Sequence, residues 1–228
     1  MRIVSWNIEL GHDIERAADE ILGHVELRDA HVVLVQEMSP QSAATLAERL
    51  GMDYLFEAAD THPQTHQPFG NAIMSRWPLQ DPQHLLLPHV ARVGGQPRSV
   101  LLATTTIDGT DLRVGSLHLE TVLLSLRRRR LQLDELAKSL QQTSTPLVLG
   151  GDFNTASRRS LRAFEAILAS ANLTRLSPLD SETFRRFRRP FVLDHFFGRG
   201  VRPTDGGVVP TGLVSDHEPI WIEFSLDR

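Results

Sequence analysis

Two short polar runs carry side chains that could do chemistry together. Gly150-Gly151-Asp152-Phe153-Asn154 places a carboxylate and an amide two residues apart, and Ser215-Asp216-His217 places a carboxylate beside an imidazole. Each run borders an apolar stretch that reads as a strand, Leu147-Val148-Leu149 before the first and Ile220-Trp221-Ile222 after the second. Alternate residues after a strand point the same way, so Asp152 and Asn154 can face one substrate, the first accepting from an attacking water and the second donating to a phosphate oxygen. A turn capping the next helix accounts for the same pair, because Asp and Asn are favoured turn residues. His217 can move a proton or, when charged, hold an anionic oxygen, provided a partner orients its second ring nitrogen. Asp194, opening the run Asp194-His195-Phe196-Phe197, is the candidate partner, which leaves Asp216 for a metal. A plain polar surface turn is the alternative.

Three further positions fit the same chemistry. Glu37 follows a run of apolar residues and Gln36, where a carboxylate is costly unless paired or metal-bound. Asn7 sits in an otherwise apolar strand pattern and must satisfy its amide there, structurally or by holding phosphate and metal; Glu9 could share its face. His118 ends the run Val114-Gly115-Ser116-Leu117, although a satisfied half-buried histidine would read the same way. The chain contains 10 histidines, so His12, His24, His62, His66, His84 and His89 carry no assignment from type alone. Oxygen-rich ligands converging from several strand ends are what a hard divalent cation such as Mg²⁺ requires.

The elements that must position these groups alternate between helical and extended patterns. Residues 3–8 read as a buried strand, 13–27 as one amphipathic helix, 32–35 as a second strand, and Ser39-Pro40 as the cap and first position of a helix to about residue 50. Residues 60–69 read as a Pro-, His- and Gln-rich loop. Strands are expected at 71–75, 83–87 and 98–107, with Asp108-Gly109 turning into 112–119. A helix from Arg127 to about residue 141, a strand reaching Asp152, a helix over about 160–171 and strands at 192–197, 201–208 and 219–224 complete the pattern. The mixture implies an α/β fold with two sheets packed face to face and helices outside. No repeat or linker divides residues 1–228, so one domain is expected.

Composition narrows the class. With no cysteine, thiolate metal sites, disulfides and thiol nucleophiles are excluded, leaving hard oxygen and nitrogen ligands. No apolar run approaches the roughly 20 residues of a membrane span, and no secretion signal is apparent, so a cytoplasmic monomer is expected. The net charge of −4 means that any polyanion must be met by local basic patches. Such patches exist at Arg127–Arg130, at Arg158, Arg159 and Arg162, and at Arg185, Arg186, Arg188 and Arg189, the last interleaved with Phe184, Phe187 and Phe191. Val122-Leu123-Leu124 with Leu126 reads either as the first turn of the helix that carries the arginines, which periodicity favours, or as an apolar lip beside the site.

In this order, Ser5-Trp6-Asn7, Val35-Gln36-Glu37, the run from Gly70-Asn71 to Ser75-Arg76, Ser116-Leu117-His118-Leu119, Gly151-Asp152-Phe153-Asn154, Leu193-Asp194-His195 and Ser215-Asp216-His217 resemble the endonuclease/exonuclease/phosphatase superfamily of DNase I-like and exonuclease III-like enzymes. The resemblance spans essentially the whole chain. It implies a four-layer α/β sandwich with two central mixed β-sheets flanked by helices, and a Mg²⁺- or Mn²⁺-dependent phosphoesterase. It implies Glu37 as main metal ligand, with Asn7 and Asp216 completing the site and Asp152 beside the metal. Asp152 and Asn154 would orient or deprotonate water, His217 held by Asp194 would contact the scissile phosphate, and His118 would be a second phosphate or leaving-group contact. Asn7 and Arg98 would also bind phosphate. Glu9 stands where abasic-site nucleases carry aspartate, so the number of metals stays open. The implied substrate is a phosphodiester, with DNA or RNA slightly preferred over a small or lipid-borne ester. A non-catalytic module that kept the fold is disfavoured, because every polar position needed is present.

Overall fold

The computed structural model describes residues 1–92, 95–177, 181–186, 189–212 and 214–227, with backbone only at 185, 186, 189 and 190. In chain order the elements are β1 (Arg2–Asn7), α1 (Ile14–Gly23), α2 (Val25–Arg28), β2 (Val32–Met38), α3 (Pro40–Leu50), β3 (Asp53–Thr61), β4 (Pro68–Ser75), β5 (Leu79–Leu86), β6 (Ser99–Ile107) and β7 (Thr110–His118). There follow α4 (Leu126–Leu140), β8 (Leu147–Asp152), α5 (Arg158–Leu168), β9 (Thr174–Arg175), β10 (Phe184–Arg186), β11 (Arg189–Phe191), β12 (Asp194–Arg199), β13 (Val201–Val208) and β14 (Ile220–Leu226).

Strand alternation builds four layers. One six-stranded sheet runs β13-β14-β1-β2-β4-β3 and the other β5-β6-β7-β8-β12-β9. Ile3, Val32, Leu34 and Ile73 of the first sheet meet Leu101, Val114, Val148 and Phe196 of the second in a core between them. The intervening residues Val4, Trp6, Val33 and Val35 turn outward onto Ala17, Ile21 and Leu46 of α1 and α3. Leu102, Leu117 and Leu149 pack likewise on Leu133, Leu136 and Phe164 of α4 and α5. Each sheet carries one central parallel pair, β1 with β2 and β7 with β8. The carboxyl ends of both pairs open at the same end of the sandwich, and Asn7, Glu37, His118 and Asp152 lie there.

Buried polar bonds tie the sheets together just beneath that end. Gln36 Nε2 donates to Ser116 Oγ at 2.9 Å, and Ser116 Oγ donates to the Val35 carbonyl at 2.9 Å. Asn71 Nδ2 donates to the Ser99 and Ser116 carbonyls at 2.9 and 3.1 Å. The Gly150-Gly151 pair is required by close approach: a Cβ on Gly150 would lie 2.5 Å from the Phe196 ring, and one on Gly151 1.9 Å from the Leu117 carbonyl oxygen.

Several elements depart from the sequence expectation. The helix expected over 13–27 breaks at His24 (φ −90°, ψ 127°), which re-aims Leu27 into the core and leaves Leu22 and Val25 exposed. The 60–69 loop shrinks to 62–67, because β3, an edge strand with no clean alternation, extends to Thr61. The expected strand at 83–87 starts at Leu79, and that at 192–197 is shifted to Asp194–Arg199. The short strands β9, β10 and β11 have no periodicity to announce them. The apolar segment after His118 is not the first turn of α4: Ser125 is the N-cap, and residues 122–125 form a turn ahead of it. Ser39 does cap α3, accepting from the Ser42 N–H at 3.0 Å, with Pro40 following and Gly51 (φ 63°) closing the helix in the left-handed region.

His195 faces away from the inter-sheet core and packs edge-on to Phe153 at 5.8 Å between ring centres. Thr155 Oγ1 donates to the Val192 carbonyl at 2.8 Å, so it accepts Nε2–H of His195 at 2.6 Å, and the imidazole Nδ1 is buried with no hydrogen-bond partner among the described residues. Burial, with the Arg175 charge, pushes this histidine down to about 3. The unfolded chain therefore takes up a proton below its ordinary 6.5 that the folded chain refuses until about 3, so stability is lost as pH falls through that window. His195→Phe, which leaves Thr155 its carbonyl partner, should flatten the acid side of the profile by about 3 kcal/mol between pH 7 and pH 4. Urea midpoints of both proteins across that range measure it; parallel profiles would refute it.

Candidate active site

The site is assembled by interlocking the segments that bear it. Ser215 Oγ donates to the Asn7 carbonyl at 2.7 Å and accepts from the His217 N–H at 3.1 Å, while Trp6 Nε1 donates to the His217 carbonyl at 2.8 Å. The end of β1 and the turn before β14 are thereby one unit. β8 and β12 pair in a register that sets Asp152 opposite Asp194, and β7 and β8 pair His118 with Asp152. Glu37 sits where the β2–β4 pairing slips between Val35 and Met38. Its φ of 60° is a left-handed conformation that L-residues avoid, and the bulge turns its side chain from the sheet face toward the cleft.

Asn7, Glu37, Arg98, His118, Asp152, Asn154, Asp216 and His217 line one cleft, joined by Glu9, His62, Gln96, Thr121, Phe184 and Leu193. Asp194 lies behind His217, its Oδ2 2.8 Å from Nδ1. All of the site residues expected from sequence are therefore brought together. Asp152 is their focus. Its Oδ1 accepts the Asn154 N–H at 2.8 Å, and its Oδ2 lies 3.3 Å from Asn7 Nδ2, 3.4 Å from His118 Nε2 and 3.7 Å from His217 Nε2. Asn154, at φ 51°, donates its own amide to the Leu119 carbonyl at 3.0 Å. The arginine run Arg185, Arg186 and Arg189 falls outside the described side chains, and Phe187 and Arg188 lie outside the described residues.

Burial and charge divide the titratable groups into distinct roles. Burial pushes the Asp152 carboxyl up to about 7, with Asp194 adding to the rise and His217, the Asn154 N–H and Arg98 opposing it. For His217 burial favours the neutral ring, but Asp194, Asp152 and Asp216 overcome it and raise the imidazole to about 10. His217 is thus an imidazolium between carboxylates. His118 is held well below the usual range by burial, then by the charges of Arg98 and His217, and is neutral. Arg98 Nη1, which can only donate, lies 3.2 Å from His118 Nδ1, so the proton of this ring is on Nε2 and faces Asp152.

Some residues that shape the site were not singled out from sequence. Glu120, fully buried, accepts the backbone N–H groups of Ala91, Gln96 and Thr121 at 3.3, 3.2 and 2.9 Å and lies 3.8 Å from Arg98 Nε. Arg129 turns inward from the arginine run and donates to the Asn154 carbonyl at 2.7 Å. Thr183 Oγ1 accepts the N–H groups of Leu193 and Asp194, and Phe184 stands edge-on to His217 at 4.8 Å. A signal existed for Arg129, which lies three residues after Leu126 and four before Leu133 on the inner face of α4.

The donor set suits a hard cation. Asp152, Asp194 and His217 bring ligand atoms within 4.8 Å of one another, but the imidazolium stands between those carboxylates and its positive charge opposes a cation there. On the other side of Asp152, the half-buried Glu37 carboxylate makes no hydrogen bond among the described residues, and Arg98 Nη1 and the neutral His118 Nε2 both stand 3.9 Å away. Glu37 with Asn7, Asp216 and Asp152 offers only oxygen ligands to an ion placed there.

Solved structures share this fold. An endonuclease/exonuclease/phosphatase from Beutenbergia cavernae DSM 12333 is 22% identical, with a TM-score of 0.79 over 100% of this chain and 72% of that one. The human Nocturnin catalytic domain with bound sulfate anion is 20% identical, with a TM-score of 0.77 over 99% and 94%. D. rerio TDP2 complexed with single strand DNA product is 18% identical, with a TM-score of 0.73 over 99% and 98%. The family profile of the Endonuclease/Exonuclease/phosphatase family matches residues 4–217, and the chain belongs to that family.

Proposed function

We propose that this chain, acting as one domain, is a Mg²⁺- or Mn²⁺-dependent phosphodiesterase. The observation that carries the reading is the convergence of Asn7, His118 and His217 on the buried Asp152 Oδ2, beside a Glu37 held in a strained conformation. A phosphate oxygen seated at that focus would collect the same donors. The His217 imidazolium, fixed by Asp194, binds a non-bridging oxygen and meets the charge that grows on it. Asp152, near neutrality in its proton affinity, takes the proton of the attacking water. Asn154 fixes the Asp152 carboxylate through its backbone N–H, and His118 presents Nε2–H to the leaving oxygen. Arg98 keeps His118 in that tautomer. Glu37, with Asn7 and Asp216, holds the cation, which when bound polarises the phosphoryl group.

Nucleic acid is the first substrate class to test. The reading is supported by the arginine runs of the sequence and by the single strand DNA product in the D. rerio TDP2 structure. A second class, a small or lipid-borne diester, is favoured by the exposure of Val122 and Leu123 at the rim of the cleft. Among the described residues no helix is long and apolar enough to cross a membrane. A cysteine-free chain fits a reducing compartment, and we place it in the cytoplasm as a monomer. The test is an activity panel with Mg²⁺ and Mn²⁺ over plasmid DNA, abasic oligonucleotide, single-stranded RNA, sphingomyelin and bis-p-nitrophenyl phosphate, with Asp152→Asn as control. Metal-dependent turnover of at least one diester, abolished by chelation and by the substitution, is expected. Silence on all of them would overturn the reading.

A further inference from the structure

We propose that the turn at 122–125, the start of α4 and Arg92 form a docking surface for an anionic phospholipid bilayer, held at the mouth of the catalytic cleft. Docking goes beyond the hydrolytic reading and does not rest on it.

The first observation is an apolar pair kept in water. Val122 and Leu123 are 58% and 63% exposed, whereas the next residue, Leu124, is buried at 2%. The turn is pinned: Leu124 N–H donates to the Thr121 carbonyl at 3.0 Å and Leu123 N–H to Thr121 Oγ1 at 3.3 Å. Leu124 anchors it from below, so the exposure is built into the backbone. Thr121 itself lines the catalytic cleft, which sets the pair directly at its rim.

The second observation is charge without a partner. Arg92, Arg127, Arg128 and Arg130 are exposed, and none makes an ion pair among the described residues. Arg127 and Arg128 occupy the first turn of α4, which carries no acidic residue, at the end of the helix where the backbone is already positive. Like charges gathered there are stabilised by an anion supplied from outside. Arg92 and Arg128 line one groove with Ala91, Leu123 and Leu124, so two of these charges lie beside the apolar lip.

Exposed aliphatic side chains with arginine beside them match a bilayer surface: the apolar pair enters the acyl boundary while the guanidinium groups meet lipid phosphates. A single-stranded nucleic acid would call for aromatic stacking partners, and the lip offers Val and Leu. With a net charge of −4 any attraction to an anionic surface has to come from a local patch such as this one.

The test is co-sedimentation of the full chain with vesicles of phosphatidylcholine alone and of phosphatidylcholine with phosphatidylglycerol at three to one. We expect binding to the anionic vesicles only, weakened by added salt. Val122→Ser with Leu123→Ser, and separately Arg127→Glu with Arg128→Glu, should each lower the partition coefficient at least tenfold, with unchanged melting temperature. No sedimentation of the parent chain, or equal binding by the serine variant, overturns the proposal. So does a single-stranded oligonucleotide that binds the parent and the serine variant alike while displacing the vesicles, since the surface is then a nucleic-acid track. Because sedimentation requires no turnover, Asp152→Asn should bind as the parent does, which separates failure of docking from failure of the hydrolytic reading.

Discussion

Asp152→Asn should lower turnover of bis-p-nitrophenyl phosphate by about 10³- to 10⁴-fold while leaving the protein folded. The substitution keeps the shape of the side chain and the acceptor that receives the Asn154 N–H at 2.8 Å, and it removes the group able to take a proton from water. Its effect on stability is small because two contributions oppose. Burial raises the Asp152 carboxyl from 3.8 to about 7, so this group favours folding below 3.8, and that contribution is lost as pH rises through 7. At pH 8 the ionised carboxylate is thus a cost that asparagine relieves. Against this, the His217 imidazolium loses one of the carboxylates that hold it charged and keeps Asp194 at 2.8 Å. A net change within about 2 kcal/mol is expected from urea unfolding at pH 8. A variant that keeps more than a tenth of the parent's turnover would show that the base lies elsewhere.

The chemistry of this chain was legible wherever a polar run interrupts an apolar strand. Asp152, Asn154, His118, Glu37 and His217 each follow or precede buried residues, and a polar group so placed needs a partner, which the fold supplies at the sheet ends. Ser39-Pro40 and Asp108-Gly109 were legible for another reason, since capping and turn preferences act over a few residues. What stayed hidden depends on distant chain. Glu120 is explained only once the fold brings the N–H groups of Ala91 and Gln96, 29 and 24 residues upstream, onto its carboxylate. Thr183 acts through the backbone of residues ten and eleven positions later. β3 lies at a sheet edge with both faces half covered, so its sequence lacks the alternation that marks a strand. The strand order, with β1 between β14 and β2, is set by pairing across the whole length of the chain, which no local pattern encodes. The left-handed backbone at Glu37 is likewise a product of the slipped pairing with β4.

Glu37→Gln should reduce turnover about 10³-fold and abolish the stabilisation that Mg²⁺ confers on the folded chain. The parent protein, titrated to about 100 times its dissociation constant, should gain about 2.7 kcal/mol over the chelated protein. Glutamine retains the size and the strained backbone but forfeits the charge that a hard cation requires. Glu37→Gly separates ligand from strain. At φ 60° glycine meets none of the crowding that a side chain does, so the chelated Glu37→Gly protein should be as stable as the parent or up to about 1 kcal/mol more so. It should be as unresponsive to Mg²⁺ as the glutamine variant. The measurement is thermal unfolding of all three proteins with and without the metal, alongside turnover. The pattern expected is a strained residue kept for what its carboxylate binds: stability rising or unchanged as function disappears. If Glu37→Gln still gained stability from Mg²⁺ to the parent's extent, the cation would sit on other oxygens, and the strain at this bulge would have to be explained by packing alone.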